Sequence, residues 1–175
     1  SHTIKKQKHN QHLMRALIDK KITMVDYETL TDKKNNRIIA FGRYAGIVGA
    51  YNAIRGYGLK YDLFRLKPAH ECRDRAEMEQ ELLRAKLPNI KIVLTGGGRV
   101  ANGAIETLSA LRIRKITAEE FLMTDFREPV YCQLNPRDYM ERTGDHNFDL
   151  HEFYNHPERY SSRFVAFTKK ADIYI

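Results

Sequence analysis

The sequence predicts an α/β fold, a doubly wound and mostly parallel sheet with helices on both faces. Three observations support this prediction. A short apolar run at 90–95 is followed by a glycine break and then by an apolar-faced helical segment at 101–111. A second β-type run at 113–117 follows, which gives the order strand, helix, strand. The length of 175 residues allows one good core but not two full domains.

The segments before this unit predict, in chain order, a helix, two short strands and two further helices. Their bounds are 10–20, 21–30, 37–41, 44–57 and 71–86. A polar stretch at 31–36 is typical of a turn between the two strands. In the helix at 44–57, small residues dominate one side, and they suit either a tight helix contact or a cofactor contact. These small residues are Gly46, Gly49, Ala50 and Ala53.

The segments after the strand, helix, strand unit predict a less regular arrangement. Thr117 with Glu120 three residues later forms the sequence pattern of a capping box, which begins the next helix. A strand is predicted at 129–134, one or two short helices within 148–160, and a final strand at 172–175.

Composition and charge narrow the class of protein. The chain has 42% hydrophobic and 30% charged residues, no apolar run long enough to span a bilayer and no signal-peptide pattern, so we predict a cytoplasmic protein without a membrane partner. The net charge is +8, but no RNA-binding signature or zinc-finger spacing is present, so we predict no nucleic-acid partner. The histidines lack cysteine or carboxylate partners at zinc-like spacing, and we predict no metal site.

The glycine break contains the pattern G-x-G-x-x-A, placed directly after a strand and at the start of a helix. Gly96 permits a tight turn, Gly98 lets the backbone approach a pyrophosphate, and Ala101 is small enough for close packing of helix on strand. Arg99 and Val100 lie between the turn and the helix, and we predict that they contact the cofactor. The unpaired N–H groups and positive dipole of the helix N-terminus attract phosphates. The pattern predicts a Rossmann-like dinucleotide site; a turn that merely joins strand to helix is the alternative.

The choice between NAD and NADP is expected at the end of the second strand, about 20 residues past the glycines. That place falls at Thr117, which we predict to contact the cofactor. No acidic residue stands there to hold the ribose of NAD, and Arg99, Arg114 and Lys115 could instead meet a 2′-phosphate. The sequence leaves the preference open.

Three residues near the beginning of the chain have chemistry that suits a site. His2 could be a general acid or base, although a lone histidine near a chain end is more often solvent-exposed. Glu28 and Arg37 flank a predicted hairpin, and a surface ion pair is their default interpretation.

The chain starts abruptly at Ser1 and stops in an apolar strand, which we interpret as a piece of a longer protein.

Several motifs in order resemble one family. They are Ser1-His2-Thr3-Ile4-Lys5-Lys6-Gln7, Asp26-Tyr27-Glu28, Ala40-Phe41-Gly42-Arg43-Tyr44-Ala45-Gly46, and the Gly96 turn ending in Asn102-Gly103-Ala104. Together they resemble the lysine-forming saccharopine dehydrogenases and lysine–ketoglutarate reductases, within the alanine dehydrogenase and transhydrogenase group. The resemblance covers nearly the whole chain.

The resemblance implies two Rossmann-like domains with a reaction centre in the cleft between them, where hydride passes between a nicotinamide and an amine or imine carbon. It implies that His2 is the acid/base residue and that Lys5, Gln7, Glu28 and Arg37 surround an amino-acid or keto-acid substrate. The family's paired catalytic lysine and most of the first domain would lie upstream of this chain, so the missing N-terminal domain is an expected partner and the isolated chain is expected to be inactive.

We therefore expect residues 1–42 to belong to the neighbouring catalytic domain and residues 43–175 to form the NAD(P)-binding domain. The expected activity is NAD(P)-dependent oxidation or reduction at the CH–NH bond of an amino acid such as saccharopine. A non-catalytic, redox-sensing dinucleotide-binding module is the alternative, and it would lack a working acid/base residue.

Overall fold

The structure, a computed structural model, describes residues 7–175. The chain divides into two compact units, of which the first ends at Phe41 and the second is Gly42–Ile175. The predicted domain boundary, between 42 and 43, lies one residue further along. No helix among the described residues is long and apolar enough to cross a membrane.

The described part of the first unit, residues 7–41, contains one α-helix, α1 (Gln11–Asp19), which confirms the helix predicted at 10–20. The 3₁₀ turns are Lys8–Asn10 and Tyr27–Thr29. The polar turn is also confirmed, since the Asp32 N–H donates to the Asn36 carbonyl at 2.9 Å. The strands predicted at 21–30 and 37–41 are wrong, because residues 7–41 contain a single isolated antiparallel bridge, between Thr31 and Arg37, and no strand. Two short strands without a third are marginal in water.

The second unit alternates helices and strands, as the sequence predicts. Its helices are α2 (Gly42–Lys60), α3 (Arg75–Leu82), α4 (Arg99–Ala110), α5 (Ala118–Met123), α6 (Pro136–Tyr139), α7 (Leu150–Asn155) and α8 (Val165–Thr168). Its strands are β1 (Lys91–Thr95), β2 (Arg114–Ile116), β3 (Val130–Leu134), β4 (Met140–Arg142), β5 (Tyr160–Ser162) and β6 (Ile173–Tyr174). Two 3₁₀ turns, Ala69–Glu71 and Pro157–Arg159, complete it.

The main sheet has four parallel strands in the order β2-β3-β1-β6, and β4 and β5 form a separate antiparallel pair. The strand that follows α4 is therefore not the neighbour of β1, because β3 lies between them. Side-chain character explains this order. All but one residue of β3 are buried, whereas Arg114 and Lys115 of β2 are exposed, and a strand with exposed charges is suited to an edge.

Apolar residues on both faces of the sheet form the core. Ile92, Tyr131 and Ile173 lie on one face and pack with Ile54 of α2 and Leu108 of α4. The opposite face consists of Val93, Val130, Cys132 and Leu134, which pack with Phe121 of α5 and Phe167 of α8. Since residues on a strand alternate between faces, Ile92 and Val93 point to different helical layers. The predicted doubly wound α/β fold is confirmed.

Helices α2 and α4 contact each other through paired glycines. A side chain at Gly46 would overlap the Val100 carbonyl, and one at Gly103 would overlap the Arg43 carbonyl. The Thr107 hydroxyl also donates to the Ile47 carbonyl at 3.0 Å. Of the two interpretations of the small residues in α2, the structure supports the tight helix contact.

Glu106 of α4 joins three helices through ion pairs. Arg43 of α2 donates to both carboxylate oxygens, at 2.6 and 2.7 Å, and Arg75 of α3 donates at 2.9 Å. The Arg43 hydrogen bond, followed by that of Arg75, lowers the pKa of Glu106 from 4.5 to about 2. The ionised carboxylate therefore supports the position of α4 directly behind the glycine turn.

Candidate dinucleotide-binding site

The glycine turn lies at the carboxyl end of β1, where α4 begins. Gly96 has a φ of 93°, a conformation that favours glycine. Its N–H donates to the Leu134 carbonyl at 2.9 Å, which ties the turn to the end of β3. Gly98 is the N-cap of α4 and contributes no side-chain cap. The first N–H groups of this twelve-residue helix therefore have no partner within the helix.

Gly96, Gly98 and Ala101 of the G-x-G-x-x-A pattern differ in whether the fold itself requires a small residue there. Gly96 needs its positive φ, and Ala101 is buried against Leu94 of β1 and Ala50 of α2. Gly98 has a φ of −87°, which any residue can adopt, and a Cβ there would meet no atom of the described residues within 4 Å. Neither its backbone conformation nor packing against those residues requires a glycine at 98, whereas the close approach of a ligand would.

A cleft of about 460 Å³ opens beside this turn at the carboxyl ends of β1 and β3. The lining residues are Thr95, Gly96, Gly97, Gly98, Asn135, Pro136, Arg137, Tyr139, Phe148, Leu150 and Tyr154. Among these described residues, Arg137 is the one charged side chain, and it is cationic. The cleft thus combines polar backbone, an aromatic wall and a positive charge, which suits an anionic ligand that also carries flat rings.

A second cleft, of about 410 Å³, lies at the amino ends of the strands. Its central cation, Lys91, already donates to the carbonyls of Phe121, at 3.0 Å, and Thr124, at 2.6 Å. The Asp172 carboxylate accepts from the backbone N–H of Lys91 at 2.8 Å. These polar groups stabilise the protein itself, and ligands of open parallel sheets bind at the carboxyl ends of the strands. The cleft at the glycine turn is the better candidate.

The other predicted cofactor residues lie in two places, at the start of α4 and directly after β2. Arg99 and Val100 are exposed at the start of α4, directly after the turn. Thr117 follows β2, one strand beyond β3, and does not line the cleft. Its hydroxyl accepts from the Glu120 N–H at 3.1 Å, and the Glu120 carboxylate accepts from the Thr117 N–H at 2.8 Å, so the predicted capping box is confirmed. Its contact with a cofactor stays a prediction.

Two of the basic residues that could meet a 2′-phosphate have partners within the protein. Arg114 forms an ion pair with Glu128 at 2.7 Å, and Lys115 donates to the Gln133 side chain at 2.8 Å. Both belong to the edge strand β2. These contacts leave the choice between NAD and NADP as open as the sequence does.

The predicted substrate residues that the structure describes, Gln7, Glu28 and Arg37, belong to the first unit. His2 and Lys5 lie outside the described residues. Gln7 precedes the first 3₁₀ turn, and its carbonyl accepts from the Asn10 N–H at 2.9 Å. The carboxylate of Glu28 and the guanidinium of Arg37 are 4.0 Å apart, so the structure brings these two together as a loose ion pair.

Sequence reasoning missed the wall of the cleft that follows β3. Asn135 lies where β3 ends, and its Oδ1 would be 3.1 Å from a Cβ at Gly97. A polar residue directly after a buried strand could have indicated this position, because the ends of parallel strands meet at one edge of the sheet. Phe148, Leu150 and Tyr154 come from a segment without clear periodicity, which gave no comparable signal.

The chain is similar to known proteins along most of its length. Over 94% of the chain, it is 30% identical to the mitochondrial alpha-aminoadipic semialdehyde synthase of Mus musculus. Over 95% of the chain, it is 30% identical to the mitochondrial protein of the same name from Rattus norvegicus. The Arabidopsis thaliana protein of the same name is 26% identical over 94% of the chain. The chain is homologous to one segment of the alpha-aminoadipic semialdehyde synthases.

This homology confirms the family resemblance recognised in the sequence. The chain spans about 20% of the length of the mouse and rat relatives. No protein-family model matches the chain. The cytoplasmic location stays a prediction, since the mouse, rat and cattle relatives are mitochondrial proteins.

Proposed function

We propose that the second unit is the dinucleotide-binding part of an NAD(P)-dependent oxidoreductase that acts on the CH–NH bond of an amino acid such as saccharopine. The observation that carries this proposal is Gly98, whose lack of a side chain is required neither by its backbone conformation nor by packing against the described residues. Its position after a parallel strand and before a helix is the one that approaches the pyrophosphate in dinucleotide sites. The homology to alpha-aminoadipic semialdehyde synthases supports the amino-acid substrate class.

Each residue around the turn would have a different role in binding the dinucleotide. Gly96 turns the chain, Gly98 lets the phosphates come close, and the N–H groups at Arg99 and Val100 present positive charge to them. Ala101 keeps α4 against β1. The aromatic residues of the cleft offer stacking surfaces, and a bound nicotinamide would supply or accept the hydride.

The first unit would contribute the substrate side of the reaction. We propose that His2 exchanges the proton at the amine or imine nitrogen and that Lys5, Gln7, Glu28 and Arg37 surround the substrate. A histidine suits this task because its pKa in solution lies near neutrality. The exposed apolar residues of this unit fit its assignment to a neighbouring catalytic domain, and we expect the isolated chain to bind cofactor without turnover.

Calorimetric titration of this chain with NADH and NADPH tests the proposal. The matched variant is Gly98→Val, which the protein should accept because residue 98 has a negative φ and open surroundings. We expect the parent to bind at least one dinucleotide and the variant to bind neither, with a melting temperature lowered by no more than about a few degrees, because valine is a poorer N-cap than glycine. Absence of binding by the parent, or equal binding by the variant, would contradict the proposal.

A longer chain that includes the neighbouring domain distinguishes the proposed enzyme from the alternative function, a non-catalytic redox-sensing module. His2→Ala should abolish amino-acid oxidation there while dinucleotide affinity stays unchanged. Full activity of the variant would exclude the proposed acid/base role.

A further inference from the structure

The side chain of Gln133 connects the glycine turn to the edge of the sheet. Gln133 lies on β3, where it pairs in register with Leu94 of β1. Its Nε2 donates to the Gly96 carbonyl at 2.9 Å, and its Oε1 accepts from the Lys115 ammonium at 2.8 Å. One amide therefore joins β2, β3 and the turn that follows β1.

The Gly96 carbonyl matters because it belongs to the peptide that also carries the Gly97 N–H. In a trans peptide these two groups point in opposite directions. A peptide between two glycines can turn over with little steric resistance, since neither flanking residue has a Cβ. The hydrogen bond from Gln133 selects one orientation and directs the Gly97 N–H away from Gln133. Gly97 itself lines the cleft.

Lys115 determines which end of the Gln133 amide meets the turn. An ammonium group can only donate, so it selects the amide oxygen as its partner. The amide nitrogen is then the end that remains for the Gly96 carbonyl. Without Lys115, the amide loses the contact that holds its oxygen, and its nitrogen is free to leave the Gly96 carbonyl for solvent.

We propose that Gln133 is a positioning residue that sets the orientation of the Gly96–Gly97 peptide, and that Lys115 acts through it. The purpose rests on the proposed function: the oriented Gly97 N–H becomes a donor for the anionic group of a dinucleotide in the cleft. Neither side chain needs to touch the ligand. The sheet thereby fixes a turn that its own glycines leave free to rotate.

Nuclear magnetic resonance of the chain without cofactor tests the orientation directly. The residual dipolar coupling of the Gly97 N–H reports its direction in the parent, in Gln133→Leu and in Lys115→Met. Gln80→Leu, at an exposed position of α3, is the matched control. We expect the coupling or the number of Gly97 resonances to change in both test variants and to stay unchanged in the control. An unchanged Gly97 signal in both test variants would overturn the proposal.

Dinucleotide affinity gives a second, separable readout. We expect Gln133→Leu to weaken binding about tenfold, the loss typical of one well-placed hydrogen bond. If Lys115 acts through Gln133, adding Lys115→Met to Gln133→Leu should weaken binding no further, and additive losses would contradict that. Failure of the parent to bind would count against the proposed function alone, because the Gly97 coupling decides the positioning role without a ligand. Should Gln133→Leu not fold, the Gly97 coupling in the Lys115→Met variant, at an exposed position, decides the positioning role.

Discussion

The two units of this chain use apolar residues in different ways. In Gly42–Ile175, side chains such as Ile54, Leu108 and Val130 have no exposed surface, and they fill both faces of the sheet. In Gln7–Phe41, no described residue is buried, and Ile18 and Val25 are 66% and 75% exposed. The second unit thus has a core of its own, whereas residues 7–41 of the first unit form none. Stability should reside in the second unit, and substitutions that separate the two units test this.

The largest difference is expected at the glycines of α2. Gly46→Ala should lower the free energy of unfolding by about 3 kcal/mol or more, because its methyl group would overlap the Val100 carbonyl and push α2 from α4. Urea unfolding followed by circular dichroism measures this.

Gly49 on the same helix provides the control. It is exposed, and beyond its own helix backbone no described atom lies within 4 Å of its Cβ position, so Gly49→Ala should raise the free energy of unfolding by about 0.5–1 kcal/mol. A similar effect of both substitutions would show that the helix contact is not as close as described.

A matched pair of leucines compares the units directly. Leu108→Ala removes a fully buried side chain and should cost about 2–5 kcal/mol of unfolding free energy. Leu13, in α1, is 52% exposed, and Leu13→Ala should change the unfolding free energy by less than about 0.5 kcal/mol. Comparable losses at the two positions would mean that the first unit contributes to the cooperative core.

A smaller effect is expected from the carboxylate that joins three helices. The pKa of Glu106 is lowered to about 2 in the folded protein, so its contribution to stability is complete above pH 4.5 and is lost as pH falls toward 2. Glu106→Gln should lower the melting temperature by a few degrees at pH 7, and the difference from the parent should disappear toward pH 2. Melting curves across this pH range measure it. A constant difference would contradict the assignment.

The sequence allowed prediction of the second unit better than of the first, for a physical reason. Runs such as 90–95 and 129–134 become strands because neighbouring strands pair with them and two helical layers cover them. The run at 21–30 is also β-rich but has no such partners among residues 7–175, and it does not form a strand. Local pattern alone does not contain this information.

The candidate site was predictable in part. The glycine turn was found because its spacing reflects local backbone requirements at Gly96 and Ala101. The order of the strands was not found, since periodicity identifies strands but not their neighbours. The strand that Thr117 follows is separated from β1 by β3, and its contact with a cofactor stays a prediction. The bridge from Lys115 through Gln133 to Gly96 depends on that same strand order and could not have been inferred earlier.

The central claim is that the turn at Gly96–Gly98 receives the pyrophosphate of a dinucleotide. Amide shifts in a ¹⁵N-labelled chain during addition of NADH or NADPH test it most directly. We predict that the largest shifts occur at Gly97, Gly98 and the first residues of α4, with smaller ones at Asn135. Largest shifts at Asn89, Lys91 and Asp172, around the cleft at the other end of the strands, or no shifts with either dinucleotide, would contradict the account.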